Sequence, residues 1–162
     1  MTTEQQRHVG VTPVNVLREL SGLEFLRKLI SGELPHAPIS ATLNFDLAEV
    51  EKGFVVFTGT PTSAHYNPLG GVHGGYTATL LDSCMACAVH TTVEAGYAYT
   101  TLEIKINYVR AINDKTGLLR AEGKVINAGR QIATAEGRLV DANGKLYAHG
   151  ATTCMIFPLP TS

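Results

Sequence analysis

One acidic side chain in the middle of the chain stands apart from its surroundings. Asp82 is the only formally charged residue between Lys52 and Glu94, a stretch of 41 residues. An ionised carboxylate in an apolar interior is costly unless it has a partner, so it needs either a structural partner or a chemical role. Acids in pockets of low polarity often act as a general base or as a nucleophile. The alternative is a structural aspartate that accepts backbone N–H groups or faces solvent at a subunit seam.

A glycine-rich segment, residues 67–75 with the sequence NPLGGVHGG, ends seven residues before Asp82. Glycine lets the backbone turn tightly and approach a ligand closely. A helix is predicted to begin here, so its first N–H groups and the positive end of its dipole face whatever binds. This arrangement suits an anion or the oxyanion of a reacting carbonyl. A tight turn alone would explain the glycines, but it would not require Asn67 or His73.

The same segment does not match the common nucleotide-binding or serine-hydrolase motifs. No Lys-Ser/Thr pair follows the glycines, as a P-loop requires. The glycine spacing and the strand context also differ from those of a dinucleotide-binding fingerprint. The chain has no G-x-S-x-G elbow that would present a serine nucleophile. These classes are therefore set aside.

Cysteine and histidine residues offer two further readings, redox chemistry and metal binding. Cys84 and Cys87 have redox spacing, but they fall about ten residues into the predicted helix, away from the helix start that lowers a thiol pKa. We therefore expect them to pack in the core. His65, His73 and His90 are scattered over a loop and the helix, whereas a zinc site needs at least three well-spaced ligands. The sequence predicts no metal site.

A long helix and a sheet are needed to position these residues. The largely apolar residues 74–93 predict one helix that is buried on most sides. From Ala41 the pattern changes to period two, with Leu43, Phe45 and Leu47 alternating with polar residues, which predicts a strand. Further strands are predicted to begin at Phe54 and to lie near residues 98–110, 116–127, 130–140 and 145–157, with hairpin turns at 127–129 and 141–144. Clustered strands with one helix between them indicate an α+β fold, an antiparallel sheet of about six strands curled around one long central helix.

Short helices are predicted before this unit. Ser21 and Glu24 have the spacing of a capping box at a helix start, and Gly32 stands where that helix is expected to stop. The prolines that follow predict a linker. The chain is therefore divided into an N-terminal helical extension, residues 1–40, and a main domain, residues 41–162.

Composition limits the possible partners. The formal net charge is −1 and the pI is near 6.6, which argues against a dedicated nucleic-acid binder. No apolar run approaches the roughly 20 residues of a membrane-spanning helix. The first ten residues, MTTEQQRHVG, show no hydrophobic stretch of a secretory signal, and three cysteines are an odd number. We expect a cytoplasmic protein with reduced thiols and with no nucleic-acid or membrane partner.

The strings HYNPLGGVHGGYTATLLDSCMACAV and YTTLEIKINYVRAI resemble hotdog-fold acyl-CoA thioesterases of the phenylacetate-degradation (PaaI) type. The resemblance runs from roughly Leu43 to Ile156. It implies that the long helix is wrapped by the sheet and that two subunits pair into a continuous sheet, as a homodimer or a dimer of dimers. It further implies active sites at the subunit interface, with the motif asparagine and the helix acid supplied by different chains.

The resemblance also implies roles for individual residues. Asp82 matches the general base or nucleophile, and the Gly74 amide matches the donor that polarises the thioester carbonyl. Asn67 matches the residue that helps to hold the carbonyl or the attacking water, His73 closes the motif loop, and Thr101 matches a Ser/Thr that positions water in some members. The predicted contacts to substrate and coenzyme A are Gly75, Tyr108, Arg110, Asn127, Gly129 and Arg130.

The implied reaction is hydrolysis of a small aromatic or fatty acyl-CoA to the free acid and coenzyme A. No cofactor is implied, since coenzyme A is part of the substrate. A thiolate leaves without strong protonation, so one carboxylate and one helix N-terminus are sufficient. Two alternatives stay open: a hotdog hydratase or dehydratase that uses His73 for proton transfer, and a non-catalytic acyl-CoA-binding protein.

Overall fold

The computed structural model describes residues 8–160, which form four α-helices and a six-stranded sheet. In chain order the elements are α1 (Val14–Glu19), α2 (Gly22–Ser31), α3 (Pro38–Leu43), β1 (Phe45–Glu51), β2 (Phe54–Gly59), a 3₁₀ turn (Ser63–His65), α4 (Gly74–His90), β3 (Tyr97–Tyr108), β4 (Leu119–Ala128), β5 (Ile132–Asp141) and β6 (Leu146–Pro158). Every strand pair is antiparallel, in the order β1-β2-β4-β5-β6-β3. The predicted α+β hotdog architecture is confirmed.

Helix α4 is the centre of the core. More than half of its residues are buried, and they occupy all sides of the helix rather than one face: Tyr76, Thr77, Leu80, Leu81, Cys84, Met85, Ala86, Ala88 and Val89. An isolated helix with this composition would expose apolar surface to water on every side. The sheet therefore has to curl around the helix.

Small residues on the inner face of the sheet allow that close approach. A Cβ atom placed on Gly123 of β4 would lie 2.1 Å from the Cys84 carbonyl oxygen. A Cβ atom placed on Gly137 of β5 would lie 2.7 Å from Cγ of Met85. Alanines occupy other inner positions of the same strands, at Ala121, Ala133 and Ala135, and all three are fully buried. The backbone of α4 is thus seated directly on β4.

Helix α2 packs onto the C-terminal end of α4. Helix α2 has the predicted capping box, in which the Ser21 side chain accepts the Glu24 N–H and the Glu24 carboxylate accepts the Ser21 N–H at 2.9 Å. Gly32 ends the helix in the left-handed conformation, at a φ of 81°. The Gly22 N–H donates to the Val93 carbonyl at 2.9 Å, and a Cβ at Gly22 would lie 1.8 Å from the His90 carbonyl oxygen.

The start of the sheet differs from the sequence prediction. Residues Pro38–Leu43 form α3 rather than a linker followed by a strand, so β1 begins at Phe45 and not at Ala41. Proline is favoured at the first position of a helix, and Asn44 ends this helix at a φ of 53°.

The end of the long helix differs as well. Helix α4 ends at His90 rather than near residue 93. The chain turns at the next two residues, whose side chains bond back to the last helical turn. The Thr91 hydroxyl donates to the Ala88 carbonyl at 2.6 Å, and the Thr92 hydroxyl donates to the Val89 carbonyl at 2.7 Å.

The hairpin turns follow the sequence prediction closely. In the 141–144 turn, the Gly144 N–H donates to the Asp141 carbonyl at 2.9 Å. Strand β4 continues through Ala128, so the turn between β4 and β5 lies one or two residues later than the predicted 127–129 turn. In this turn the Gly129 N–H donates to the Ile132 carbonyl at 2.9 Å. Within residues 8–160, no helix has the length and apolar character needed to cross a membrane.

Candidate active site

Asp82 lies near the middle of α4 and is partly buried. Its Oδ1 accepts a hydrogen bond of 2.9 Å from Oγ1 of Thr101 on β3. The pairing of β3 with β6 shifts register between Thr101 and Glu103, which is the position of a β-bulge. Bulges commonly re-aim a side chain next to an active site. The structure therefore brings together two of the predicted catalytic residues, Asp82 and Thr101.

The N-terminus of α4 presents one unused backbone donor. His73 is the N-cap residue, and its Nδ1 accepts the Gly75 N–H at 2.8 Å. The Tyr76 N–H donates to the His73 carbonyl at 3.0 Å. The Gly74 N–H has no acceptor among residues 8–160. A helix start with a single free N–H and the positive dipole end suits a developing oxyanion.

Tyr108 at the end of β3 covers the same helix start. Its hydroxyl donates to the Gly74 carbonyl at 3.0 Å. A Cβ on Gly74 would come within 3.3 Å of the Tyr108 ring. The aromatic ring and the glycine therefore define how closely a ligand can approach the Gly74 N–H.

Asn67 has a structural role in the loop before α4. Its Oδ1 accepts the Leu69 N–H at 2.9 Å and the Gly71 N–H at 3.3 Å. Its backbone N–H donates to the Gly71 carbonyl at 2.7 Å. These bonds hold a tight loop in which Gly70 has a φ of 84°. The side-chain Nδ2 group has no acceptor among residues 8–160, so it is available as a donor.

The Gly74 amide and the Asp82 carboxylate do not meet within one chain. Eight residues of α-helix separate them, which is about 12 Å along the axis and about 80° around it. A nucleophile and an oxyanion donor must each lie about 3 Å from one reacting carbonyl group. One chain therefore does not bring both groups to the same carbonyl group.

The predicted coenzyme A contacts also fall into two groups. Tyr108 and Arg110 line one groove of about 310 Å³ beside Gly74, and the exposed Gly75 follows Gly74 at the start of α4. The Arg110 guanidinium donates to the Leu146 carbonyl. Asn127, Gly129 and Arg130 are exposed on the β4–β5 hairpin. This hairpin is bonded to β6 through the Ile156 N–H, which donates to the Gln131 carbonyl, and Ile156 pairs with Tyr99 at the opposite end of β3.

A cavity of about 670 Å³ opens beside Asp82 and is lined mainly by apolar groups. Its floor is formed by α4 and β3, including Ala86, His90 and Tyr99, and its roof by the N-terminal helices, including Phe25 and Leu29. The sequence analysis missed this contribution of the N-terminal extension. Two signals could have indicated it: the apolar face of α2, and His90 standing two helical turns after Asp82.

Of the two thiols near the site, Cys84 lies in the core, as predicted, whereas Cys87 is partly buried and also lines the cavity. Cys84 is fully buried, and burial raises the pKa of its thiol well above the ordinary value. Burial also raises the pKa of Cys87 to about 12. A thiol that stays protonated at neutral pH is a poor nucleophile and a poor metal ligand. Among the residues that the structure describes, no three histidine, cysteine or acidic side chains group as metal ligands.

Comparisons with known proteins show the family to which the chain is similar. The model of the thioesterase superfamily matches residues 69–148, which hold α4, the whole of β3, β4 and β5, and the start of β6. The 1,4-dihydroxy-2-naphthoyl-CoA hydrolase of Listeria monocytogenes is 25% identical over 118 residues, which are 73% of this chain and 94% of the relative.

Solved structures of phenylacetic acid degradation proteins are also similar to this chain. A phenylacetic acid degradation-related protein of Ralstonia eutropha is 30% identical, with a TM-score of 0.73 over 81% of this chain and 98% of that one. A mutant of the phenylacetic acid degradation protein PaaI of Thermus thermophilus is 26% identical, with a TM-score of 0.66 over 73% and 97% of the two chains. The chain belongs to the thioesterase superfamily, as a hotdog thioester hydrolase of the PaaI type.

Proposed function

We propose that the protein hydrolyses the thioester of an acyl-CoA with Asp82 of one subunit and the Gly74 N–H of a second subunit. The observation that carries this proposal is the Asp82–Thr101 pair at the wall of an apolar cavity. A carboxylate in such a place is suited to attack a carbonyl carbon or to take a proton from water. Acyl-CoA thioesterase activity in general is already supported by the family.

The chemistry requires few groups. As a general base, Asp82 takes a proton from water while the oxygen attacks the carbonyl carbon; as a nucleophile, its carboxylate forms an acyl-enzyme anhydride that water then cleaves. In both routes the negative charge that develops on the carbonyl oxygen is stabilised by the Gly74 N–H and by Nδ2 of Asn67. The C–S bond breaks, and coenzyme A leaves as the thiolate. Thr101 holds the carboxylate of Asp82 in place.

A second copy of the chain would complete the site. Strand β3 is an edge strand of the sheet, and its outer edge has no partner strand among residues 8–160. Strand β3 is 12 residues long. It carries exposed apolar side chains at Leu102 and Tyr108, and Val109, directly after its end, is exposed as well. A long edge of this kind is a template for pairing with another strand. An isologous two-fold contact, which is the commonest kind in homodimers, would join two β3 strands antiparallel.

The register of that pairing follows from the site itself. If the two-fold axis passes between Ile104 and Lys105, Thr101 of one copy lies opposite Tyr108 of the other. Thr101 is bonded to Asp82, and Tyr108 is bonded to Gly74. The pairing would therefore bring the carboxylate of one copy towards the helix start of the other. The groove lined by Tyr108 and Arg110 would then receive the coenzyme A side of the substrate, with Gly75 at its edge and with Asn127, Gly129 and Arg130 as further contacts.

One observation weighs against the hydratase alternative. A hydratase would need His73 to transfer a proton, but Nδ1 of this residue caps the helix by accepting the Gly75 N–H. This bond favours a fixed histidine that shapes the loop. In the proposed hydrolysis, His73 only caps the helix and shapes the loop, and it transfers no proton.

The test is release of free thiol from a panel of short, medium, long and aromatic acyl-CoAs. Asp82→Asn should lower kcat by at least about a hundredfold, as expected for the loss of a general base or nucleophile. Thr101→Val should lower it less, by about tenfold, because it removes one hydrogen bond to the carboxylate. Glu136→Gln, which neutralises an exposed carboxylate on β5, is the matched control. Turnover by Asp82→Asn at the wild-type rate would refute the assignment.

A further inference from the structure

The cavity beside Asp82 has a second end, marked by a histidine. His90 lies eight residues after Asp82 on α4, about 12 Å further along the helix. Both residues line the cavity. The imidazole of His90 is held between two aromatic rings: its centroid lies 5.3 Å from that of Phe25 on α2 and 4.8 Å from that of Tyr99 on β3.

The polar atoms at this end have no adequate partners in the protein. Neither imidazole nitrogen of His90 makes a hydrogen bond to any of residues 8–160, and neither is among the side-chain atoms sealed from solvent. The Tyr99 hydroxyl has only the Cys87 thiol, 3.9 Å away. Water that enters the cavity can bond to these atoms. A ligand that displaces this water has to replace its hydrogen bonds, so a ligand with a polar group at this end binds better than one without it.

The protonation state of His90 determines what it can recognise. Burial lowers the pKa of this imidazole to about 4. At neutral pH the ring is therefore uncharged, with one nitrogen that donates and one that accepts. It does not attract a carboxylate electrostatically, but it matches a hydroxyl group, which can both donate and accept.

We infer that His90 is the specificity-determining residue at the far end of the acyl pocket, where it hydrogen-bonds a hydroxyl group on the acyl chain or ring of the substrate. This rests on the proposed function, since Asp82 defines the position of the thioester. The separation sets the size of the acyl group. Of about 12 Å along the helix, about 3 Å is the approach of the carboxylate to the carbonyl carbon and about 3 Å is the hydrogen bond to His90, which leaves about 6 Å. This length fits a single aromatic ring or a short alkyl chain with a terminal hydroxyl.

The experiment compares substrates that differ only in that hydroxyl. One pair is 4-hydroxybenzoyl-CoA and benzoyl-CoA, and the other is 6-hydroxyhexanoyl-CoA and hexanoyl-CoA, which separate an aromatic acyl group from an alkyl one. The readout is the ratio of kcat/KM within each pair. Wild type should favour the hydroxylated member of at least one pair. In His90→Phe, which keeps an aromatic ring between Phe25 and Tyr99, that ratio should fall about tenfold.

Two control variants separate recognition from structure. Leu29→Ala removes part of the roof without touching the rings that hold His90, and it should lower kcat/KM for both members of a pair, with their ratio unchanged. His149→Phe makes the same substitution at an exposed position of β6 and should leave the ratio as in wild type. The inference is overturned if wild type shows no preference in either pair, or if His90→Phe keeps the wild-type ratio.

Failure of the proposed function would be seen separately, as absence of thiol release from all four compounds by wild type. The inference is then decided by calorimetric dissociation constants for the same four compounds. A preference for the hydroxylated member that His90→Phe removes supports it. Equal binding within both pairs, or no binding, overturns it.

Discussion

Asp82 and His90 show how one helix can give two ionisable groups different surroundings. Asp82 has a hydrogen-bond donor, the Thr101 hydroxyl, beside it. His90 has aromatic rings on both sides and no donor or acceptor within residues 8–160. The surroundings of His90 favour a neutral imidazole. The two residues therefore mark a hydrogen-bonded end and an aromatic end of the same cavity.

The depressed pKa of His90 predicts a pH dependence of stability. In the unfolded chain the imidazole titrates near 6.5, and in the folded chain at about 4. Between these values the unfolded chain binds more protons, so acid favours unfolding and stability rises with pH. We expect the free energy of unfolding to fall by about 2 kcal/mol between pH 7.5 and pH 5 through this residue. Urea unfolding of wild type and His90→Phe at both pH values measures it.

The difference between the two proteins is the informative quantity, because other groups titrate in the same range. His90→Phe should lose less stability than wild type over this interval, whereas His149→Phe should follow wild type. Identical losses in wild type and His90→Phe would mean that the imidazole is not held neutral by burial.

At the scale of elements, the contact between α4 and the sheet depends on glycines that face the helix. Gly123 faces a backbone carbonyl, that of Cys84, and Gly137 faces the flexible side chain of Met85. A backbone group cannot move without moving the helix, whereas a methionine side chain can adopt another rotamer. The position of Asp82, two residues before Cys84, therefore depends on Gly123 more than on Gly137.

This contrast predicts different costs for the same substitution. Gly123→Ala should lower the free energy of unfolding by about 3 kcal/mol, since the added methyl group pushes α4 away from β4. Gly137→Ala should cost about 1 kcal/mol or less, because Met85 can move aside and because alanine restricts the unfolded chain more than glycine does. Urea midpoints of the two variants provide the comparison. Equal midpoints would contradict the backbone contact.

At the scale of the whole molecule, the separation of Gly74 from Asp82 leads us to expect that activity depends on assembly. Neither half of the site can act alone if both must reach one carbonyl group. Asn67→Asp is a sharper variant than alanine here, because its carboxylate can still accept the Leu69 and Gly71 N–H groups that shape the loop. It replaces the Nδ2 donor with a carboxylate oxygen, which would repel the oxyanion, so the variant should be inactive with its loop intact.

A mixture of two inactive variants should therefore regain activity. Asp82→Ala and Asn67→Asp, unfolded and refolded together, would form about half heterodimers by random pairing, each with one intact site and one doubly damaged site. Thiol release should then reach at most about a quarter of the wild-type rate. The same proteins mixed without unfolding are the control, and they should stay inactive if subunits exchange slowly.

Two results would rule out the shared site. One is full activity in a preparation that sedimentation shows to be monomeric. The other is no recovery of thiol release although mass spectrometry proves that heterodimers have formed.

The sequence alone determined the local parts of this protein. The capping box of Ser21 and Glu24 and the helix stop at Gly32 follow from neighbouring residues, and the structure confirms both. The isolation of Asp82 is read from the sequence itself. Hydrophobic periodicity likewise indicated the long helix and most of the strands, because it reports which side of an element is buried. The chemical roles of Asp82, Asn67 and Gly74 stay predictions.

Only the tertiary structure decided which distant residues meet. Thr101 reaches Asp82 because a bulge in β3 lies beside α4, and Phe25 reaches His90 because Gly22 seats α2 against the end of that helix. Helix α3 also depends on context, since its apolar residues suit a strand equally well. The physical reason is the same in each case: spacing along a chain fixes contacts over one or two turns, whereas contacts over longer separations depend on how the elements pack.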